Sequence, residues 1–343
     1  MAKQNKNILV LGGGGFIGSH LCERLVNSGQ NVICVDNFST ADPENIKHLL
    51  QEMNFELIRH DIAEPLPELE SLADVSKFKI DVFGIQEIYN LACPTSVKNF
   101  ENLKVETILA NTSGVKNALD LAVKYKAKIV HASSSVVYGE VPKSTIKKPI
   151  YIKEDYRGQM DQLDPRACYD LGKSYAETIV SVYHEKFNLD TKMVRIFRTY
   201  GPRMPLNDGQ MIPDFISNAL DNKDLTVFGD ENFITSLCYV SDIVEGMIKL
   251  MDSPINDPVN MGGTVVHRLS DVADSIIKMT DSSSQIVFKE KLLFMRELGY
   301  PDISAIKNAI GWFPIIDINE GLKRTIEYTK AHKSLVAFTA DQA

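Results

Sequence analysis

The stretch GGGGFIG, residues 12–18, follows the apolar run ILVL and opens an amphipathic pattern over 16–29. Its glycines Gly12, Gly15 and Gly18 allow a tight turn, close approach of backbone N–H groups to an anion, and close packing of a helix on a strand. A strand, a glycine-rich turn and a helix in this order are typical of a dinucleotide pyrophosphate site. We therefore predict a dinucleotide cofactor rather than a glycine-rich turn without a ligand, and expect Phe16 and Ile17 to border the same site.

Apolar runs of strand length alternate with helical patterns over the first 198 residues. The predicted strands are 8–12, 31–36, 55–61, 85–93, 127–134 and 191–197, and the predicted helices are 16–29, 43–53, 111–126 and 169–187. The strands are apolar without alternation, as expected of parallel strands covered on both faces. The sequence thus predicts an α/β fold with a Rossmann-type doubly wound parallel sheet over 1–198.

The composition of the sequence changes from Gly201, where the segment GPRMPLNDGQ (201–210) contains two Pro and two Gly residues and an Asn. Shorter helices and strands follow without long alternation. We predict a smaller C-terminal substrate-binding lobe over 199–335, with a strand or helix returning to the first domain near 235–252. The residues after about Lys330 are expected to form a frayed tail.

Charge and cysteine usage exclude several classes of protein. The net charge is −8 and no basic stripe is present, which argues against a nucleic-acid partner. No segment approaches the roughly 20 apolar residues of a membrane span, so no membrane is expected. The five cysteines are scattered without CxxC spacing, which indicates neither a disulfide framework nor a metal site and fits a cytoplasmic location.

Acidic residues at strand ends favour NAD as the cofactor. Asp36 ends the second predicted strand, eighteen residues after Gly18, where its carboxylate can accept hydrogen bonds from a ribose and would repel the 2′-phosphate of NADP. Alternatively, Asp36 begins the turn DNFST. Asp61 either reaches the adenine or caps its own strand. The other expected cofactor contacts are Asn37, Ile62, Leu91, Ala92 and Asn111.

The pair Tyr169 and Lys173 lies one helical turn apart in YDLGK, so both side chains occupy the same helix face. A phenol with a pKa of about 10 is a poor base at neutral pH. The Lys173 ammonium and a bound nicotinamide cation would favour the phenolate. Tyr169 could then take a proton from a substrate hydroxyl that Ser134 holds, while Lys173 contacts the nicotinamide ribose.

The sequence resembles extended short-chain dehydrogenases/reductases that act on nucleotide sugars, and within them it is similar to UDP-glucuronate decarboxylases. The motifs that carry this resemblance are GGGGFIGSHL, VDNF, NLACPTS, NTSG, ASSSVVYG, EDY, PRACYDLGKSYAE, RIFRTYGPRM, NDGQ, YVSDIVEG, PDIS and GW. The resemblance implies NAD in a Rossmann domain, a C-terminal lobe for a nucleotide sugar, a UDP-sugar above all, and a homodimer built on the Tyr-bearing helix.

The chain departs from these decarboxylases at three positions. Val136 replaces an acidic residue that assists chemistry beyond C4, and Gly299 and Thr235 replace arginines. Conversely, Arg198 stands where relatives have Asn. We interpret Arg198 and Arg203 as candidate diphosphate ligands. The other candidate substrate contacts are Pro94, Ser135, Val136 and Arg296.

Several reactions remain open on this basis. Transient oxidation at C4 needs only Ser134, Tyr169, Lys173 and NAD, so a nucleotide-sugar 4-epimerase is the leading hypothesis. A UDP-glucuronate decarboxylase is the alternative, because a 4-keto uronate is a β-keto acid that loses CO2 comparatively easily. A 4,6-dehydratase, a C4 dehydrogenase or reductase, and a non-catalytic binding protein are further alternatives.

Overall fold

The structure, a computed structural model, describes residues 5–95, 102–206, 208–290 and 298–340. Its strands are β1 Asn7–Leu11, β2 Asn31–Asp36, β3 Phe55–Arg59, β4 Glu87–Asn90, β5 Lys128–Ser134, β6 Tyr151–Ile152, β7 Thr191–Ile196, β8 Thr199–Tyr200, β9 Leu225–Phe228, β10 Ile234–Ser236, β11 Cys238–Tyr239, β12 Val259–Met261, β13 Val266–Arg268, β14 Ile286–Lys289 and β15 Tyr300–Pro301. Its α-helices are α1 Phe16–Asn27, α2 Ile80–Phe83, α3 Lys104–Leu109, α4 Val115–Tyr125, α5 Ala167–Phe187, α6 Met211–Leu220, α7 Val240–Met251, α8 Leu269–Met279, α9 Ser304–Ile310 and α10 Ile318–Ala340.

A seven-stranded sheet forms the centre of the molecule, in the order β12-β7-β5-β4-β1-β2-β3. All of its neighbouring strands pair in parallel. Apart from β12, the order reads 3-2-1-4-5-6 in chain sequence, which is that of a dinucleotide-binding sheet with its crevice between β1 and β4. The predicted Rossmann-type fold is confirmed.

Apolar side chains cover both faces of this sheet. On one face, Leu21 and Leu25 of α1 share a core with Met247 of α7. On the other, Leu119 of α4 and Val180 of α5 pack together. Because β1, β4 and β5 in the centre of the sheet are almost entirely buried, their carboxyl-terminal ends can hold side chains in defined positions.

Two helical predictions were wrong in detail. The stretch predicted as a helix over 43–53 instead forms two 3₁₀ turns, Pro43–Asn45 and Lys47–Leu49. The helix predicted over 111–126 begins earlier, at α3, and passes through a π-helical turn, Ala110–Gly114, into α4. A single π turn inside a helix is often found at functional sites.

The C-terminal segment contributes both a separate layer and part of the central sheet. The pairs β9–β14 and β10–β13 lie outside the central sheet. The chain returns through α7, which packs on α1, and through β12, which pairs with β7 beyond the predicted return range 235–252. In the described ranges, no helix is both long and apolar enough to cross a bilayer.

Candidate active site

The glycine loop between β1 and α1 packs so closely on neighbouring backbone that two of its positions have no space for a side chain. Gly12 has φ +78°, and a Cβ there would lie 2.6 Å from the backbone nitrogen of Ala92. A Cβ on Gly18 would lie 2.1 Å from the carbonyl oxygen of Gly12. Gly15 precedes the first residue of α1, so the loop delivers backbone N–H groups and the positive end of the helix to one place. This geometry fits a pyrophosphate.

Asp36 holds this loop in place from the end of β2. Its Oδ2 accepts a hydrogen bond from the Gly14 N–H at 2.9 Å, and its Oδ1 accepts one from the Phe38 N–H at 2.8 Å. Burial raises the pKa of the carboxyl group, and these backbone N–H donors act in the opposite direction. Asp36 is therefore a turn residue that also lines the adjoining cavity, and its contact with a cofactor ribose stays a prediction.

A cavity of about 80 Å³ beside Asp36 gathers most of the predicted adenosine contacts. Asp61 faces Asn37, whose Nδ2 donates to Asp61 Oδ2 at 2.9 Å, while Asp61 Oδ1 accepts from the Ala63 N–H at 2.8 Å. Asp61 thus caps its strand end, as the alternative interpretation proposed. The other predicted residues that line this cavity are Asn37, Ile62, Leu91, Ala92 and Pro94, so Pro94 lies on the cofactor side and not in the main cleft.

The main cleft, of about 430 Å³, runs from the glycine loop to the C-terminal segment. Among the residues that line it are Gly12, Gly15, Phe16, Ile17, Gly18, Ser134, Ser135, Val136, Tyr169, Lys173 and Arg198. The structure therefore brings the glycine loop, the Ser/Tyr/Lys set and three predicted substrate residues into one cavity.

Ser134, Tyr169 and Lys173 meet where β5 ends against α5. The Lys173 Nζ donates to the Ala132 carbonyl oxygen at 2.8 Å and lies 6.0 Å from the centre of the Tyr169 ring. Ser134 is the last residue of β5, and its Oγ accepts from the Val136 N–H at 3.4 Å. All three residues are at least nine-tenths buried, so a bound sugar hydroxyl would meet them largely out of water.

The pKa of Tyr169 differs from the sequence expectation for the protein alone. Burial raises the phenol pKa well above its ordinary value, and the hydrogen bond with Ser134 acts in the opposite direction. Burial also lowers the pKa of the Lys173 ammonium. Both shifts arise because a low-dielectric site disfavours a charged group. The expected lowering of the phenol pKa therefore has to come from the charge of a bound cofactor, together with Lys173.

A buried ion pair between Glu177 and Arg195 lies next to the Ser134, Tyr169 and Lys173 set. Glu177, one turn after Lys173 on α5, accepts from Nε and Nη2 of Arg195 at 2.9 and 2.7 Å. Its Oε1 also accepts from the Ser133 hydroxyl at 2.6 Å. Glu177 thus ties α5 to β5 and β7 one residue away from Ser134. Sequence reasoning missed it, although its spacing from Lys173 was a usable signal.

Val136 occupies the wall next to Tyr169. It is 4% exposed and packs in one apolar cluster with Tyr169, alongside Cys93, Cys168 and Leu298. Of the described residues that line the cleft, the carboxylates are Asp208 and Asp214, which both belong to the C-terminal segment. Among the described residues, the wall beside Tyr169 therefore offers no carboxylic acid to a substrate.

Asn111 lies in the π-helical turn against the Tyr-bearing helix. Its Nδ2 donates to the Thr107 carbonyl oxygen at 2.8 Å, and its Cβ would be 3.2 Å from a Cβ added to Gly172. Its buried Oδ1 has no hydrogen-bond partner among the described residues. Asn111 thus packs against Gly172 of α5. Its side chain does not line the main cleft or the cavity beside Asp36.

The three candidate arginines have different surroundings. Arg198 lies in the cleft, where its guanidinium group packs over the Phe233 ring at 5.7 Å and donates to Met211 Sδ at 3.6 Å. Burial lowers its pKa to about 10, and the charge of Arg166 acts in the same direction. Arg203 is directed elsewhere: its Nη2 donates to Glu23 Oε2 on α1 at 2.5 Å. Arg296 lies outside the described residues.

A second chamber of about 300 Å³ adjoins the cleft and shares Phe197, Arg198 and Leu298 with it. Thr235 and Gly299, two positions at which the chain departs from the decarboxylases, line this chamber. A Cβ on Gly299 would lie 2.2 Å from Ile152 Cγ1, so the Ile152 side chain occupies the space that a side chain at 299 would need.

Comparison with known proteins gives this geometry a family. Residues 8–262 match the sequence model of the NAD dependent epimerase/dehydratase family. The chain belongs to this family. It is 37% identical over 329 residues to UDP-glucuronic acid decarboxylase 1 of Xenopus tropicalis, covering 95% of this chain and 72% of the relative. It is 36% identical over 323 residues to UDP-glucuronic acid decarboxylase 5 of Arabidopsis thaliana, covering 93% and 88%.

The solved structure of a protein with a different activity is also similar to this chain. It is the UDP-glucuronic acid 4-epimerase of Bacillus cereus in complex with UDP-glucuronic acid and NAD. The TM-score is 0.80 at 27% identity, and the match covers 95% of this chain and 99% of that one. Decarboxylases are thus found among the sequence relatives and 4-epimerases among the structural ones.

As a member of this family, the chain is an NAD-dependent enzyme, and the predicted cofactor is confirmed. The residues present fit NAD: the glycine loop brings backbone N–H groups to the start of α1, and Asp36 lines the cavity beside the loop. The sequence analysis missed one residue beside this loop, Asn45, whose Nδ2 donates to the Gly14 carbonyl oxygen at 3.1 Å. Asn45 is the last residue of a short 3₁₀ turn with no distinctive sequence pattern, so only the fold reveals its contact with the glycine loop.

Proposed function

We propose that this enzyme is a nucleotide-sugar 4-epimerase that oxidises the sugar C4 hydroxyl and reduces the same carbon again. The observation that carries this proposal is the apolar wall at the tyrosine, where Val136 packs in the cluster of Tyr169. Elimination of water across C5 and C6 requires a proton donor or acceptor besides the tyrosine, and Val136 can neither donate nor accept a proton. Epimerisation requires only the groups that the site contains.

The residues of the chain have separate tasks in this reaction. Ser134 holds the C4 hydroxyl by a hydrogen bond, and the Tyr169 oxygen takes its proton. Bound NAD supplies the reversible oxidation of C4. Lys173, fixed by the Ala132 carbonyl oxygen, contributes the positive charge that favours the phenolate. The burial of Tyr169 and Lys173 excludes water, which protects a 4-keto sugar from side reactions.

Arg198 is the best-placed cation for the diphosphate of the substrate. Its surroundings in the described structure are an aromatic ring and a thioether, neither of which neutralises its charge. A desolvated guanidinium group next to a second arginine gains from an anion, which it can bind through two parallel N–H donors. Arg203 is not proposed for this role, because it pairs with Glu23.

UDP-glucuronate decarboxylation is the second candidate. It is favoured by the 37% identity to a UDP-glucuronic acid decarboxylase over 95% of this chain. A 4-keto uronate loses CO2 without an acid at position 136, so Val136 weighs less against this reaction than against dehydration.

Mass spectrometry of UDP-sugar reactions in D2O separates these candidates. With wild-type enzyme and added NAD, we expect a C4 epimer of unchanged mass and no deuterium at C5. A product lighter by CO2 indicates decarboxylation, one lighter by water indicates dehydration, and a stable 4-keto product indicates a C4 dehydrogenase. Each of these three outcomes contradicts the epimerase proposal. The Tyr169→Phe variant is the control for conversion that does not depend on the enzyme.

We further propose that the enzyme is a homodimer that pairs through α3 and α5. These two helices pack together and leave large apolar side chains exposed, among them Val105 at 64%, Tyr175 at 53% and Val182 at 51%. Light scattering during size-exclusion chromatography should give about twice the mass of the chain. A Val182→Glu variant should shift that mass toward the monomer, and a monomeric wild type would contradict the proposal.

A further inference from the structure

We propose that Cys22 and Cys34 form a redox-active thiol pair beneath the glycine loop, and that a small-molecule disulfide oxidises this pair to an internal disulfide that weakens NAD binding. Cys22 lies on α1, which follows the loop, and Cys34 lies on β2, which pairs with the strand before it. The inference concerns the cofactor site alone, so it does not depend on which reaction follows the oxidation of C4.

The two sulfur atoms converge on the middle of the glycine loop. A Cβ built on Gly13 would lie 2.6 Å from Cys34 Sγ and 2.9 Å from Cys22 Sγ. Both sulfurs therefore pack directly against Gly13, next to Gly14, whose N–H donates to Asp36 Oδ2. The two thiols are also hydrogen-bonded to each other. The fold thus places two thiols from different elements side by side under the backbone that faces the cofactor.

Burial keeps this pair reduced while the loop is closed. The side chains of Cys22 and Cys34 are both 0% exposed. The hydrogen bond with Cys22, followed by burial, raises the pKa of the Cys34 thiol well above its ordinary value. Because the thiolate is the nucleophile in disulfide exchange, the pair reacts only when the loop lifts and admits the reagent. NAD bound at the loop holds it closed and should protect the pair.

The reaction consists of two successive thiol–disulfide exchanges. In the first, one cysteine thiolate attacks a sulfur of the reagent RSSR, which forms a mixed disulfide and releases one thiol, RSH. In the second, the other cysteine attacks the protein sulfur of the mixed disulfide and releases the second RSH. The protein loses two electrons and two protons, and these reduce RSSR to two RSH. No further reactant is needed.

The disulfide should disturb the pyrophosphate site, because both sulfurs support it. Bond formation brings the sulfurs to about 2.05 Å from each other. The contact surface below Gly13 then changes, and α1 is drawn toward β2. The N–H groups of the loop and the start of α1 therefore no longer converge on one anion. We expect the oxidised enzyme to bind NAD about tenfold more weakly than the reduced enzyme.

Linkage gives this effect a second measure. If the disulfide weakens NAD binding tenfold, NAD must disfavour the disulfide by the same factor. For a two-electron couple, a factor of ten corresponds to about 30 mV. Saturating NAD should therefore raise the reduction potential of the Cys22–Cys34 pair by about 30 mV.

A redox titration of the wild-type enzyme with reduced and oxidised glutathione, without and with saturating NAD, tests the inference. Trypsin cleaves between the two cysteines at Arg24, so after alkylation of free thiols mass spectrometry detects the disulfide as a link between peptides 7–24 and 25–47. We expect this link in NAD-free enzyme, with the shifted potential and slower formation when NAD is present. Fluorescence titration then compares the NAD affinities of the reduced and oxidised enzyme.

Single substitutions provide the controls. Cys22→Ala and Cys34→Ala should each remove the link and the effect of oxidation on NAD affinity. Cys238→Ala is the matched control, since Cys238 is also buried but lies on β11, and it should retain both. Thermal midpoints of the reduced variants show whether they are folded. The titration of the wild-type enzyme decides the question even if a variant does not fold.

Several outcomes would overturn the inference. These are the absence of the link in native NAD-free enzyme, a link that leaves NAD affinity and the potential unchanged, and a loss of NAD affinity on oxidation that persists in Cys22→Ala. A link between Cys93 and Cys168 alone would also overturn it. Both of these cysteines pack beside Tyr169, so that result would assign the redox sensitivity to the main cleft.

Discussion

Arg195 on β7 and Glu177 on α5 form a two-pronged ion pair, with N–O distances of 2.9 and 2.7 Å, whose side chains are 9% and 13% exposed. Arg195 Nη1 also donates to the Tyr138 hydroxyl at 3.0 Å and to the Glu154 carbonyl oxygen at 2.8 Å. The pair therefore joins α5 to β7. Through Tyr138 it also joins both elements to the turn that follows Ser134.

The Glu177→Gln substitution should destabilise the enzyme by about 3–5 kcal/mol, because it leaves the buried Arg195 charge unpaired. Urea unfolding measures this loss. Glu185→Gln, at an exposed position of the same helix, should change stability by no more than about 0.5 kcal/mol. Equal effects of the two variants would show that the ion pair contributes little.

The Tyr169→Phe substitution should lower kcat by roughly 10² to 10⁴ and leave NAD affinity nearly unchanged, because the ring and its packing remain. Because the base is the deprotonated phenolate and burial raises the phenol pKa, wild-type activity should rise with pH as that form is populated. Steady-state kinetics across pH checks both points. Tyr175→Phe, on the exposed side of α5, should behave as wild type, and full activity of Tyr169→Phe would refute the proton-transfer role.

The enzyme should bind NAD more tightly than NADP, because the Asp36 carboxylate lines the cavity beside the glycine loop, where it would repel a 2′-phosphate. Asp36→Asn keeps one oxygen that can accept from a backbone N–H and removes the charge, so the preference should fall by about tenfold. Fluorescence titration with both cofactors measures it. An unchanged thermal midpoint of the variant would show that the effect is on the cofactor and not on the loop.

His20 should make the fold sensitive to mild acid. Burial, followed by the charge of Arg203, lowers its pKa from 6.5 to about 4. The unfolded chain therefore binds a proton that the folded protein does not, so stability is full above pH 6.5 and is lost as the pH falls toward 4. The difference reaches about 3 kcal/mol, and His20→Gln should remove it. Urea unfolding at pH 7 and pH 4.5 compares the two proteins, and parallel losses would assign the acid sensitivity to other groups.

Local sequence signals predicted the parts of the site that depend on spacing. Gly18 must be small because a Cβ would meet the Gly12 carbonyl oxygen within the same turn of chain. Tyr169 and Lys173 share a helix face by periodicity alone. The same reasoning failed where a contact joins distant segments. Arg203 bonds to Glu23, 180 residues away, and no local pattern shows that this arginine is taken from the cleft.

The sheet illustrates a second limit of sequence reasoning. The strand β12 has three residues, too few for a recognisable pattern, and it is a strand because the exposed edge of β7 is available to pair with it. The pKa of Tyr169 likewise depends on burial, which only the assembled fold determines. Spacing thus predicted the composition of the site, whereas packing decided its electrostatics.

The return of the chain through α7 and β12 affects how the enzyme can be dissected. An excised 1–198 fragment would expose the edge of β7 and the apolar surface of α1 that α7 covers, so it is expected to aggregate. A fragment starting at 199 would carry β12 and α7 without the central sheet and the helix α1 against which they pack. Chimeras with relatives of other specificity should therefore exchange the chamber-lining loops individually and leave 240–261 with the first domain.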